Sequence, residues 1–194
     1  MSAPTILVAG LGRCGSSLVM QMLAAAGVPT VGQYPDFEVT DVAKLLPGDP
    51  CRWLEHAVGK AVKVIDPHRG RPPAGPDYHT IWLRRDVNEQ AKSMLKLIGL
   101  PDTRENRRQW SASVRRDMAP ARRAVLASHG HGRPMLELTF EQLVIDPETT
   151  AREIADYVGR DLDHAAMAAC VVSRSPRCLP YLLEVSLIAG VRAA

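Results

Sequence analysis

Residues 5–17 read Thr5-Ile6-Leu7-Val8-Ala9-Gly10-Leu11-Gly12-Arg13-Cys14-Gly15-Ser16-Ser17, and this stretch decides the fold. Residues 5–9 centre on an unbroken Ile-Leu-Val run, the pattern of a parallel strand buried on both faces. A glycine-rich turn follows, from Gly10 to Gly15, and a helix is expected from Ser16 to about residue 26. Gly27 is placed to end it in the left-handed conformation. Strand, glycine-rich turn and helix N-terminus together form a cradle of backbone N–H groups suited to an anion. Glycine allows positive φ and a close approach of backbone to phosphate. Gly12, Arg13, Cys14, Gly15, Ser16 and Ser17 are therefore the expected phosphate-binding residues. Arg13 adds a permanent charge on a forked donor, and the two serines add hydroxyls at the helix start. The bland alternative is a tight turn with no ligand.

Outward from this stretch, short β-like runs alternate with helical stretches. The fold class expected is α/β: three layers, helices on both faces of a central, mostly parallel sheet, with the topology of P-loop proteins. Residues 61–65 form the second strand, 80–83 the third and 135–139 the fourth. A helix near 51–59 precedes the second strand. Asp86 is expected to cap a helix, with Glu89 completing a capping box and Val87, Ala91, Met94, Leu95 and Ile98 facing inward. A long helix over 104–128 carries an apolar stripe of Trp110, Val114, Met118, Ala121 and Val125, with Pro120 inside it. Asp146-Pro147 opens a further helix to Val158. Residues 28–50 and 161–194 are assigned as acceptor-site or covering segments of a single domain spanning 1–194.

Composition narrows the function classes. The chain has 194 residues, 46% of them hydrophobic and 23% charged, the balance of a globular protein rather than a disordered one. A net charge of +3 is too mild for a nucleic-acid coat protein. No apolar run approaches a membrane span, and the first residues lack the basic stretch of a signal peptide. Cys14, Cys51, Cys170 and Cys178 have neither zinc nor disulfide-framework spacing, which fits a reducing cytoplasm. Neither a metal, a nucleic acid nor a membrane is expected as partner.

Arg13-Cys14-Gly15-Ser16-Ser17 resembles the loop of the PAPS-dependent sulfotransferases, a basic residue followed by Ser-Gly-Thr-Thr/Ser. Two further stretches resemble that family in the same order. A strand ends at Arg85 and Ser93 lies eight residues on, the pattern that binds the 3′-phosphate. Leu138-Thr139-Phe140-Glu141-Gln142-Leu143, then Asp146-Pro147, resembles the family's last strand and helix, with Phe140 in place of Tyr at the adenine pocket. The chain looks like a compact, bacterial-type member. The resemblance implies PAPS (3′-phosphoadenosine 5′-phosphosulfate) as co-substrate and PAP (the 3′,5′-bisphosphate) as product. It implies sulfuryl transfer to a hydroxyl or amine of a small-molecule or glycan acceptor.

Such chemistry needs a base for the acceptor proton and cations for charge on the bridging oxygen. Arg13 and Lys63 are the candidate cations. Lys63-Val64-Ile65-Asp66-Pro67 matches the Lys and Pro of the family's Lys-x-His-x-Pro segment, but Ile65 stands where the catalytic His is expected. Ile takes no proton, so Asp66, His68 and Glu38 are the substitutes. Two other classes compete. Val62–Asp66 resembles a Walker B strand, which would fit a small-molecule kinase; loss of the base would fit a non-catalytic nucleotide-binding module. The arginines of the long helix are a solvated face or a docking surface for an anionic acceptor. The weakly patterned C-terminus covers the sheet or pairs two subunits in a homodimer, and Arg174 and Arg177 lie there.

Overall fold

The N-terminal apolar run becomes strand β1 (Thr5–Gly10), with all six residues buried. In the computed structural model of the chain, residues 4–38, 55–74, 78–129 and 134–171 are described. Three more strands join β1: β2 (Ala61–Ile65), β3 (Tyr78–Arg84) and β4 (Leu136–Thr139). The order is β2-β1-β3-β4 and every pairing is parallel. All four strands therefore end on the same edge, where Gly10 lies beside Ile65 and Leu83, and Arg84 beside Thr139. That shared carboxyl edge is where open parallel sheets bind ligands.

Alternation along β1 supplies both faces. Ile6 and Val8 point into a core with α1 (Ser16–Ala25), α5 (Pro147–Val158) and α6 (His164–Ala169). Leu7 and Ala9 point into a second core with Trp82 and with Ala121 and Val125 of α3 (Arg104–Leu126). Each of these side chains of Val or Leu size contributes roughly 1.5–3 kcal/mol by leaving water. Helices thus cover both faces, the three-layer α/β arrangement expected. Gly27 (φ 79) and Gly159 (φ 69) end α1 and α5 in the left-handed region, and Asp146 caps α5 through the Thr149 N–H.

Several local expectations need correction. On α2 (Val87–Leu97) the Asp86 carboxylate accepts from the N–H groups of Asn88 and Glu89, as expected. The return bond of the capping box comes instead from Glu141, whose carboxylate accepts the Asp86 N–H at 3.0 Å. Glu89 is drawn to Lys92, 2.7 Å away. The buried residues of α2 are Glu89, Gln90, Ala91 and Leu95, while Ile98 falls past the helix end and is exposed. The inner face is partly polar because it lies over the glycine-rich turn, whose backbone carbonyls need donors. A short helix, α4 (Phe140–Ile145), follows β4 directly. Thr139 and Gln142 form a capping box at its start.

Of the segment 28–50, only 28–38 is described. There Pro29 and Val31 hydrogen-bond the backbone of Ala61 and cover the open edge of β2. The helix expected near 51–59 is described only from 55, as one turn. Arg174, Arg177, Cys51 and Cys178 lie outside the described residues.

Candidate anion-binding cleft

The turn after β1 is tight because its side chains leave it no room. A Cβ on Gly10 would sit 2.5 Å from Cys14 Sγ and 2.8 Å from the Leu83 carbonyl. Gly15 has φ 106, and a Cβ there would sit 2.7 Å from Phe140 Cδ2. Arg13 itself adopts φ 70, an uncommon conformation for a residue with a Cβ. Gly12, Arg13, Gly15, Ser16 and Ser17 line an open cleft of about 810 Å³. Lys63, Ile65, Asp66, Arg85, Ser93 and Phe140 line it too. The three stretches that are far apart in sequence therefore meet.

Their contacts are specific. Arg13 Nε donates to Ser93 Oγ at 3.0 Å, joining the loop to α2. Arg85 Nη1 donates to the Arg13 carbonyl at 3.4 Å. The Arg85 guanidinium carbon lies 4.2 Å from the centre of the Phe140 ring, a cation–π contact. Phe140 is thus a platform that holds Arg85 in place as well as a cleft wall. Lys63 Nζ donates to Ser17 Oγ at 3.0 Å, to the Asp36 carbonyl at 2.6 Å and to Glu38 Oε1 at 3.1 Å. The ammonium is buried while the Glu38 side chain is 68% exposed, so the carboxylate reaches into open cleft. Phe37, with φ 55 and its ring in the core, anchors the turn that presents Glu38.

Two expected site residues sit elsewhere. The Cys14 side chain is buried in the core beneath the loop and does not line the cleft. Burial pushes its thiol up to about 11, opposed by hydrogen bonds from Ser16. The reason is steric: the turn directs Cys14 inward against Gly10. His68 also stays out of the cleft, with Nε2 4.0 Å from Asp117 on α3. The Arg116 guanidinium hydrogen-bonds Asp117 and holds that carboxyl below its usual range. Sequence reasoning also passed over Lys92, which lines the cleft beside Ser93, and did not give a site role to Lys96. The signal was available: Glu89, Ser93 and Lys96 share one helical face. Among the described residues, no group of three or more His, Cys, Asp or Glu is placed to hold a metal ion. Nor does any described helix have the length and apolarity to cross a membrane.

The α3 arginines are partly neutralised. Arg107 pairs with Asp102 at 2.9 Å, Arg116 with Asp117 at 2.7 Å and Arg122 with Glu137 at 2.6 Å. Exposed pairs of this kind contribute little to stability.

An all-parallel sheet, a glycine-rich turn after β1 and cations gathered at the strand ends define an α/β protein of the P-loop class. Residues 74–164 match the model of the sulfotransferase family, so the resemblance read from the motifs holds over this stretch. Solved structures share the fold. A retinol dehydratase in complex with androsterone and PAP is 18% identical, with a TM-score of 0.50, covering 88% of this chain and 64% of that one. The sulfotransferase domain of the Synechococcus PCC 7002 olefin synthase is 17% identical, with a TM-score of 0.53, covering 93% and 82%. A mouse sulfotransferase complexed with PAP is 14% identical, with a TM-score of 0.50, covering 88% and 62%. The chain thus spans under two thirds of the length of the first and third of these. No curated protein matches it.

Proposed function

We propose that the chain is a sulfotransferase, moving the sulfuryl group of PAPS onto a hydroxyl or amine of a small-molecule acceptor and releasing PAP. The observation that carries this is the joining of Arg13 to Ser93 and of Arg85 to the loop, in one cleft with the Lys63–Glu38 pair. The turn and Arg13 hold the phosphosulfate end. Arg85 and Ser93 hold the 3′-phosphate, and Phe140 fixes the plane of Arg85. Glu38 is the base: Ile65 takes no proton, His68 lies outside the cleft, and Asp66 is engaged by the Gly12 N–H at 3.1 Å. The acceptor oxygen or nitrogen attacks sulfur, and its proton passes to the Glu38 carboxylate. The bond from sulfur to the bridging oxygen breaks, its electron pair staying on the 5′-phosphate of PAP beside Arg13 and Lys63.

The whole chain, 1–194, acts as one domain in this proposal, with 28–50 and 161–194 shaping the acceptor side. Glycans and small alcohols or amines are both acceptor candidates. A homodimer and a cytoplasmic location complete the proposal. PAP should raise the melting temperature without added metal, following mass action. Transfer of label from radiolabelled PAPS should fall about 10²–10⁴-fold in Glu38→Gln with PAP affinity kept. Stabilisation by magnesium-ATP alone would replace the proposal with a kinase. PAP binding without transfer to any acceptor would replace it with a binding module.

A further inference from the structure

Gly12 is gripped from two sides by residues that lie outside the loop. Its N–H donates to Asp66 Oδ1 at 3.1 Å, and its carbonyl accepts from Gln90 Nε2 at 2.7 Å. Gln90 Nε2 also lies 3.4 Å from the Leu11 carbonyl. The Asp66 backbone N–H donates to the Gly10 carbonyl at 3.0 Å, so three successive loop residues are held. The N–H and the carbonyl of Gly12 belong to successive peptide planes. Fixing both sets the φ and ψ of the residue type that has most freedom to lose. Gln90 is 1% exposed, too deep to reach a ligand itself. Asp66 adopts φ 51, a strained conformation that persists where its surroundings over-determine it.

We propose that Asp66 and Gln90 are positioning residues that set the anion loop in its ligand-ready shape through Gly12. Asp66 does this as a hydrogen-bond acceptor, not as the base of the reaction. A loop ordered before the ligand arrives binds without the cost of ordering it then. The same contact takes the Gly12 N–H out of the anion cradle, so the ligand is met by the N–H groups nearer the start of α1.

The ligand side of the test rests on the sulfuryl transfer proposed above; the loop side does not. Hydrogen exchange at the Gly12 amide, PAP affinity by calorimetry and sulfuryl transfer from PAPS are measured for wild type, Asp66→Asn, Asp66→Ala and Gln90→Met. In Asp66→Ala, losing a charged acceptor should speed Gly12 exchange and weaken PAP by about tenfold or more. Asp66→Asn keeps a carbonyl oxygen and should restore both to within about threefold of wild type. Gln90→Met, similar in size but without the donor, should weaken PAP by roughly tenfold. Unchanged Gly12 exchange in Asp66→Ala overturns the proposal. So does an Asp66→Asn variant that binds PAP normally but loses turnover, which would make Asp66 the base. If Asp66→Ala does not fold, Asp66→Asn and Gln90→Met decide the question. Wild-type protein that binds no PAP would refute the proposed function, while the exchange rates would still decide the clamp.

Discussion

Gly15→Ala puts the geometry of the cleft to a quantitative test. Gly15 stands at the N-cap of α1 with φ 106 and ψ 8. Any residue with a Cβ in the left-handed region costs roughly 1–2 kcal/mol. The new Cβ would also lie 2.7 Å from Phe140 Cδ2, well inside the ~3.5 Å of ordinary carbon contact. Phe140 is 3% exposed and cannot swing into solvent freely. Moving the ring off its rotamer costs about 0.5–1.5 kcal/mol. The Arg85 guanidinium on its face would lose roughly 0.5–1 kcal/mol of cation–π attraction. These contributions sum to about 2–4.5 kcal/mol. For a domain of this size each kcal/mol lowers the melting temperature by ~2–4 °C, so a fall of roughly 5–15 °C is expected in calorimetry. PAP affinity should fall by about tenfold, because displacement of Arg85 removes charge-assisted contacts. A variant that melts within about 2 °C of wild type would refute the assigned contact between loop and ring.

Other predictions follow from the same geometry. Arg85→Ala should weaken PAP by roughly 10–100-fold while leaving binding of adenosine 5′-phosphosulfate, which has no 3′-phosphate, nearly unchanged. Equal losses for both ligands would show that Arg85 does not read the 3′-phosphate. Cys14, raised to about 11, should be almost wholly thiol in the native protein at pH 8 and should react with a disulfide reagent only on unfolding. The same shift makes stability alkali-sensitive. A thiol whose folded value lies above its unfolded value contributes its full stability below pH ~9. That contribution, about 3 kcal/mol, is lost as pH rises towards 11. Tyr78 is also raised by burial and adds to the effect with the same sign. A Cys14→Ser variant with an unaltered alkaline limb would contradict the assignment.

What the sequence revealed depends on how local each cause is. The bounds of β2, the left-handed stop at Gly27 and the Asp146-Pro147 start of α5 match because neighbouring residues alone determine them. Arg85 and Ser93 are singled out by resemblance to the family's strand-end and helix pattern, and both line the cleft. The place of His68 depends on α3 packing, which brings Asp117 to it from far along the chain. Cys14 stands where the family motif has Ser, and sequence does not say which way a turn residue points; here the side chain points into the core. Gln90 gave no signal, since an amide beside an apolar stripe reads as solvated until the loop is seen above it. Asp66 was visible as a residue, but its bond to Gly12 requires two strands in register.

The contacts that make the cleft have one further consequence, for the birth of the protein. Arg13 reaches Ser93 across 80 residues, Arg85 reaches back to Arg13 across 72, and Gly12 meets Asp66 across 54. None can form until the strands that carry them have paired, and distant parallel pairings are slow to form. A nascent chain that has emerged only through β2 holds the glycine-rich turn but neither Arg85 nor its Phe140 platform. The cleft is therefore complete only after β3 and β4 have joined the sheet. Fragments that lack β3 and β4 should bind no nucleotide, however well their own helices form.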